Sequence, residues 1–207
     1  MNLEGLYTVM VTPFDSQGKL DQKGLRHNLR YQLQHQVQGI VVLGTTGESP
    51  TLNAQEKQKI IEIAIEEVKG KAALVIGTGS YATEQTIAAT RQAQEMGADA
   101  ALIVTPYYNK PTQEGLYRHF EAICQATSIP IIVYNNQPRT SQNLQTETLK
   151  RLAQFPSIIG VKEASGNIMQ ITEVIEAFGK IRPSFKILSG DDSLTFPLIA
   201  LGGHGIM

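Results

Sequence analysis

Short apolar runs recur along this chain at a spacing of about thirty residues, beginning near positions 39, 72, 99, 130, 158 and 185. Each run has the length of a strand and is followed by a stretch in which apolar residues return at helical spacing. Strands that are apolar on both faces belong to parallel sheets with helices packed outside them. A βα unit repeated at a fixed period therefore predicts a parallel sheet with right-handed crossovers. The expected strands are residues 6–11, 39–43, 72–76, 100–104, 130–133, 158–161 and 185–188, with 205–207 opening an eighth. The expected helices are 21–36, 53–68, 83–96, 112–127, 145–154, 167–178 and 193–201. Asn53 with Glu56 has the form of a capping box, and Gly97 has the position of a helix-stopping glycine.

An open doubly wound sheet and a closed (β/α)8 barrel both fit this alternation. The evenness of the repeat favours the barrel, as do distinctive polar residues after almost every strand rather than at one switch point. No GxGxxG follows the first strand, so the dinucleotide fold lacks its signature. The expectation is an α/β fold of the TIM-barrel type, one domain over residues 1–207. A full barrel takes about 250 residues, and this chain has 207. The barrel is therefore expected to lack the end of strand 8 and the helix after it, which would leave open strand edges and exposed apolar surface.

Composition narrows the field of functions. A formal net charge of -1 gives no electrostatic case for nucleic acid or an anionic membrane. The single cysteine, Cys124, has no partner for a disulfide within the chain, which fits a reducing compartment. Residues 1–5 carry no basic region leading into an apolar core, and no apolar run approaches a membrane span. The expected location is the cytoplasm. Four histidines (His27, His35, His119 and His204) are scattered without ligand spacing, so no metal is expected.

In a barrel the carboxyl ends of the strands share one mouth. That places Thr45, Thr46, Tyr107, Tyr108, Tyr134, Arg139 and Lys162 around a common cleft. Lys162 ends an apolar run, where desolvation lowers the amine pKa and frees the lone pair for a Schiff base. The alternative is a strand-end lysine that reaches solvent or pairs with Glu163. Gly44-Thr45-Thr46-Gly47 reads as a tight turn or as an anion cradle of backbone N–H groups and hydroxyls. Tyr107, Tyr108 and Tyr134 read equally as packing residues, and Arg139 as an ordinary surface arginine. What separates the functional reading from the bland one is their joint placement after strands two, four, five and six.

Five ordered motifs carry a resemblance: Gly44-Thr45-Thr46-Gly47-Glu48-Ser49, Thr105-Pro106-Tyr107-Tyr108-Asn109, Tyr134-Asn135 with Arg139-Thr140, Gly160-Val161-Lys162-Glu163-Ala164, and Ser189-Gly190-Asp191-Asp192. Together, and over the whole chain, they resemble the pyruvate-dependent class I aldolase family. The resemblance implies a (β/α)8 barrel followed by extra C-terminal helices, which this chain would lack, and a homotetramer built as a dimer of dimers. It implies that Lys162 attacks the ketone of pyruvate, so that the covalent Schiff base stands in place of any cofactor. Tyr134 matches the family's general acid/base. Thr45 and Tyr108 match its proton relay, with the tyrosine supplied across a dimer interface. Thr45 and Thr46 match the cradle for the pyruvate carboxylate, Arg139 the group that binds the acceptor's carboxylate, and Gly190 and Met207 backbone positions lining the pocket. Thr45-Thr46 with Arg139 favours aspartate semialdehyde as the acceptor, a step in the diaminopimelate route to lysine. The alternatives are an N-acetylneuraminate or keto-deoxy sugar acid lyase, or a catalytically silent barrel.

The chain departs from the family pattern in two places besides its length. Asn136-Gln137-Pro138 precedes Arg139, with the proline shifted by one, so the aim of Arg139 depends on the local backbone. Ala54, Lys57, Tyr81 and Gln85 stand where lysine-inhibited members carry histidines, an asparagine and a glutamate. The expectation is an absence of feedback inhibition by lysine.

Overall fold

The computed structural model describes residues 1–207. Eight strands alternate with helices: β1 Gly5–Val9, α1 Gln22–Gln34, β2 Gly39–Val42, α2 Ala54–Val68, β3 Ala73–Gly77, α3 Thr83–Met96, β4 Ala100–Val104 and α4 Gln113–Ala126. They continue as β5 Ile131–Asn135, α5 Gln137–Thr140, α6 Thr146–Leu152, β6 Ile158–Glu163, α7 Ile168–Ile181, β7 Lys186–Ser189, α8 Thr195–Ala200 and β8 Gly205–Ile206. The strands pair in sequence order as a closed parallel barrel. Capping anchors several helices. Asn53 and Glu56 make both bonds of the capping box at α2, and Gly97 ends α3 in the left-handed conformation.

Period-2 alternation sorts the strand residues between two environments. Ile131 and Val133 face outward into a cluster with Phe120, Leu149 and Phe178 of the helix layer. Ile132 and Tyr134 face inward into a smaller cluster with Leu3, Val41, Val75, Leu102 and Leu188 that fills the barrel. A third cluster joins α1, α2 and the outer faces of β2 and β3 through Leu25, Leu29, Ile60, Ile63 and Ile76.

The open edge expected at strand 8 is absent. Gly205 and Ile206 pair with Gly5 and Leu6 of β1 on one side and with Leu188 and Ser189 of β7 on the other. Two residues suffice because the backbones there come very close. A Cβ on Gly205 would lie 2.2 Å from the carbonyl oxygen of Gly5, and Gly5 itself sits at φ 88°, so both positions need glycine. The amide of Met207 extends the join by donating to the Ser189 carbonyl at 2.8 Å. Phe196 is 83% exposed, and Ile199 and Leu201 of the same segment are exposed as well.

Two strands run further than their apolar content predicts. β5 includes Tyr134 and Asn135, and β6 includes Lys162 and Glu163, because these polar residues pair in register with one another. Residues 137–140, which lie between the expected strand 130–133 and the expected helix 145–154, form the short helix α5.

Outside the barrel, Glu67 of α2 is buried and takes hydrogen bonds from two arginines of α1. Arg30 Nε and Nη2 donate at 2.8 and 2.7 Å, and Arg26 Nη1 at 2.9 Å. Arg30, helped by Arg26 and opposed by burial, holds the Glu67 carboxyl down at about 2. A carboxyl depressed on folding stabilises fully above its unfolded pKa, and that contribution is lost as pH falls through the folded value. Glu67→Gln is expected to lower the melting temperature at pH 7 by about 2–4 °C and to flatten its fall between pH 4.5 and pH 2. Thermal denaturation across that range, followed by circular dichroism, checks both.

Candidate active site

Tyr134 and Lys162 are register partners on adjacent strands, so their side chains leave the sheet on the same inward face. The Lys162 ammonium nitrogen lies 4.5 Å from the centroid of the Tyr134 ring. Lys162 is only 6% exposed. Burial lowers its amine to about 8, against the opposing pull of the Asp192 carboxylate. The stem of Lys162 packs over Gly190: a Cβ there would stand 2.8 Å from both Cγ and Cε of the lysine. Glycine at 190 is therefore what allows the lysine its path along the barrel wall.

Lys162 does not pair with Glu163. Consecutive strand residues point to opposite faces, so the lysine enters the barrel while Glu163 enters the layer between sheet and helices. There Glu163 is 1% exposed, and its partners carry no charge. It accepts from the Ser165 amide at 2.7 Å and from Asn135 Nδ2 at 3.2 and 3.4 Å. Asn135 also donates to Asn143 and accepts from the Leu144 amide, and Gln170 of α7 completes the group through Asn143 and the Leu144 carbonyl. Burial pushes the Glu163 carboxyl up, and the bonds from Ser165 and Asn135 only partly offset it. The network ties the ends of β5 and β6 together directly behind Tyr134 and Lys162.

A cavity of about 1140 Å³ opens at the carboxyl ends of the strands. Of the residues singled out in the sequence, Thr45, Thr46, Tyr134, Arg139, Lys162, Gly190 and Met207 line it together. Thr45 and Thr46 sit on a turn closed by the Gly47 amide bonding to the Gly44 carbonyl at 3.1 Å, and Thr12 Oγ1 pins the turn at the Gly47 carbonyl. The amides of Thr45 and Thr46 donate to no backbone carbonyl. An adjoining cavity of about 490 Å³ shares Thr45, Tyr134 and Arg139 and extends past Lys57, Tyr81, Gln85 and Tyr107. Tyr108 is the exception among the predicted residues. It is 90% exposed at φ 70° and lines neither cavity. No three His, Cys, Asp or Glu side chains converge as metal ligands.

The shifted proline finds a physical account in α5. Pro138 falls in the first turn of that helix, where its fixed φ is suitable and its missing N–H costs nothing. Asn136 is the N-cap, accepting from the Arg139 amide at 3.3 Å. Arg139 is thus carried on a capped turn at the rim of the cavity. Its guanidinium joins none of the chain's ion pairs. Sequence reading missed Asn136 as a site residue. It is 6% exposed, lines the cavity and donates through Nδ2 to the Tyr134 hydroxyl oxygen at 2.5 Å. The available signal was the asparagine one residue ahead of Gln-Pro, a helix-start pattern.

A buried amine beside a phenol at the carboxyl mouth places this chain among the barrel enzymes that work at their strand ends. Residues 2–207 match the dihydrodipicolinate synthetase family, and the chain belongs to that family. It is 64% identical over its whole length to a 4-hydroxy-tetrahydrodipicolinate synthase of Protochlamydia amoebophila, spanning 69% of that protein. A synthase of the same name from Bacillus velezensis is 45% identical, with 71% of it covered. Among solved structures, the dihydrodipicolinate synthase of Thermotoga maritima superposes with a TM-score of 0.97 at 42% identity, over 100% of this chain and 70% of that one. The Aquifex aeolicus enzyme gives 0.94 at 41% identity, over 99% and 69%.

The Glu163 network yields a measurable expectation. Glu163→Ala strands the donors of Ser165 and Asn135 and should cost about 2–4 kcal/mol, whereas Glu163→Gln keeps an acceptor and should cost under about 1 kcal/mol. An acid whose pKa is raised on folding loses its stabilising contribution as pH rises through the folded value. The wild type should therefore lose stability as pH rises above 4.5, and Glu163→Gln should not. Urea denaturation at a series of pH values reads both effects.

Proposed function

We propose that this chain condenses pyruvate with L-aspartate 4-semialdehyde to give 4-hydroxy-tetrahydrodipicolinate, a step in the diaminopimelate route to lysine. The observation that carries the reading is the Lys162 amine, buried and lowered to about 8 beside the Tyr134 ring, in a chain of this family. The uncharged amine adds to the pyruvate ketone, and the ketone oxygen leaves as water once protonated, forming a Schiff base. Loss of a methyl proton gives an enamine. Its carbon attacks the aldehyde of the second substrate, whose own amine then closes the ring and displaces Lys162.

Tyr134 supplies and recovers the protons as general acid and base. Thr45 and Thr46 hold the pyruvate carboxylate with hydroxyls and unpaired amides. Arg139 presents a planar fork to the carboxylate of the semialdehyde, and Gly190 and Met207 shape the pocket wall. No metal or organic cofactor enters these steps. Tyr108, projecting from the surface of its own chain, joins the Thr45 relay of a second copy in a homotetramer built from dimers. The setting is the cytoplasm, and no helix is long and apolar enough to cross a membrane.

Borohydride trapping with pyruvate, read by intact mass and peptide mapping, is expected to place one pyruvate-derived adduct on Lys162 and none on Lys162→Ala. Because the reacting form is the neutral amine, trapping should accelerate about tenfold between pH 7 and pH 9 and then level off. A folded sample without adduct overturns the reading. Production of 4-hydroxy-tetrahydrodipicolinate from aspartate semialdehyde, with no turnover of N-acetylmannosamine, settles the acceptor.

With Ala54, Lys57, Tyr81 and Gln85 where lysine-inhibited members carry other groups, lysine is not an inhibitor of this chain. A lysine titration at physiological concentration should leave the rate unchanged.

A further inference from the structure

Asn136 holds two positions together with one carboxamide. Its Oδ1 accepts from the Arg139 amide at 3.3 Å. The Arg139 amide is shared with the Asn136 carbonyl at 3.2 Å, and the carboxamide is assigned with its oxygen toward that N–H, the group it can accept from. The nitrogen therefore faces the other way, where Nδ2 donates to the Tyr134 hydroxyl oxygen at 2.5 Å. The backbone around Asn136 is fixed as well: its carbonyl accepts from the amide of Thr140 at 3.0 Å and from Thr140 Oγ1 at 2.9 Å. The side chain is 6% exposed and Tyr134 equally so, so water competes little for the phenol oxygen.

We propose that Asn136 is a positioning residue for proton transfer by Tyr134, donating to its hydroxyl oxygen and aiming its proton into the cavity that holds Lys162. The inference rests on the reading of Tyr134 as the acid/base. A phenol oxygen engaged as acceptor by Asn136 keeps its own O–H free to donate elsewhere, and the cavity with Lys162 is the open side. When Tyr134 gives up that proton its oxygen becomes negative, and the Asn136 N–H bond strengthens. An interaction stronger once charge has developed lowers the barrier rather than merely binding substrate. The same carboxamide caps the helix that carries Arg139, so the proton donor and the rim guanidinium are set by one side chain. An aliphatic residue at 136 would match the asparagine side chain in size and supply neither bond.

The test uses Asn136→Leu, which removes both bonds, and Asn136→Asp, which keeps an oxygen for the Arg139 amide and removes the donor. Both should lower the single-turnover rate of pyruvate trapping at Lys162 by about 10–100-fold, with KM for pyruvate within about twofold of wild type. In a Tyr134→Phe background neither should cost more than about a further twofold, since the group they act through is gone. A side-chain ¹H–¹⁵N pair absent from Asn136→Asp should shift in Tyr134→Phe, which reads the contact without any turnover. Trapping rates of both Asn136 variants within twofold of wild type would overturn the inference, as would full multiplication of their effects with that of Tyr134→Phe. Absence of any adduct in the wild type overturns the reading of the site, and this inference with it.

Discussion

Where β5 meets β6, Tyr134 lies beside Lys162 and Asn135 beside Glu163, and the rest of the molecule is arranged around that pairing. Period 2 sends the first pair into the barrel and the second into the helix layer. A slip of one residue would exchange them, burying a lysine against Phe178 and Leu149 and turning Glu163 toward the substrate cavity. The asparagine, glutamine and amide donors around Glu163 make such a slip costly, since each has a partner only in the observed register. The network behind the sheet thus fixes the chemistry in front of it.

Barrel closure is the second constraint. A parallel sheet of this kind exposes backbone donors and acceptors at both edges unless the ring joins. Here the join is short, and it works because two glycines allow the backbones to meet. Closure also brings Met207 and Gly190 to the same mouth as Lys162. It supplies the low-dielectric wall that keeps the lysine amine well below its ordinary value.

The division of labour within the site follows from burial. Lys162, Tyr134 and Asn136 are withdrawn from solvent and held by packing or hydrogen bonds, whereas Thr45, Thr46 and Arg139 sit on turns at the rim. Groups that exchange protons or form covalent bonds need a fixed distance and a shifted pKa, which burial provides. Groups that receive charged substrates need access and unpaired donors, which rim turns provide.

The sequence by itself determined the fold class, because a regular βα period with strands apolar on both faces has few solutions. The rule that strand-end polar residues in a barrel share one face also singled out Thr45, Thr46, Tyr134, Arg139 and Lys162, which meet at the mouth, and the family resemblance added Gly190 and Met207. Three things were decided only by the tertiary structure. That two residues close the ring depends on the approach of Gly5 to Gly205, which no local pattern encodes. That Glu163 bonds to Asn135 and Ser165 rather than to Lys162 depends on which face of β6 is the inside. The role of Asn136 was hidden because a cap and a hydroxyl donor are written with the same residue, and only the packing of Tyr134 against it shows that the carboxamide serves both.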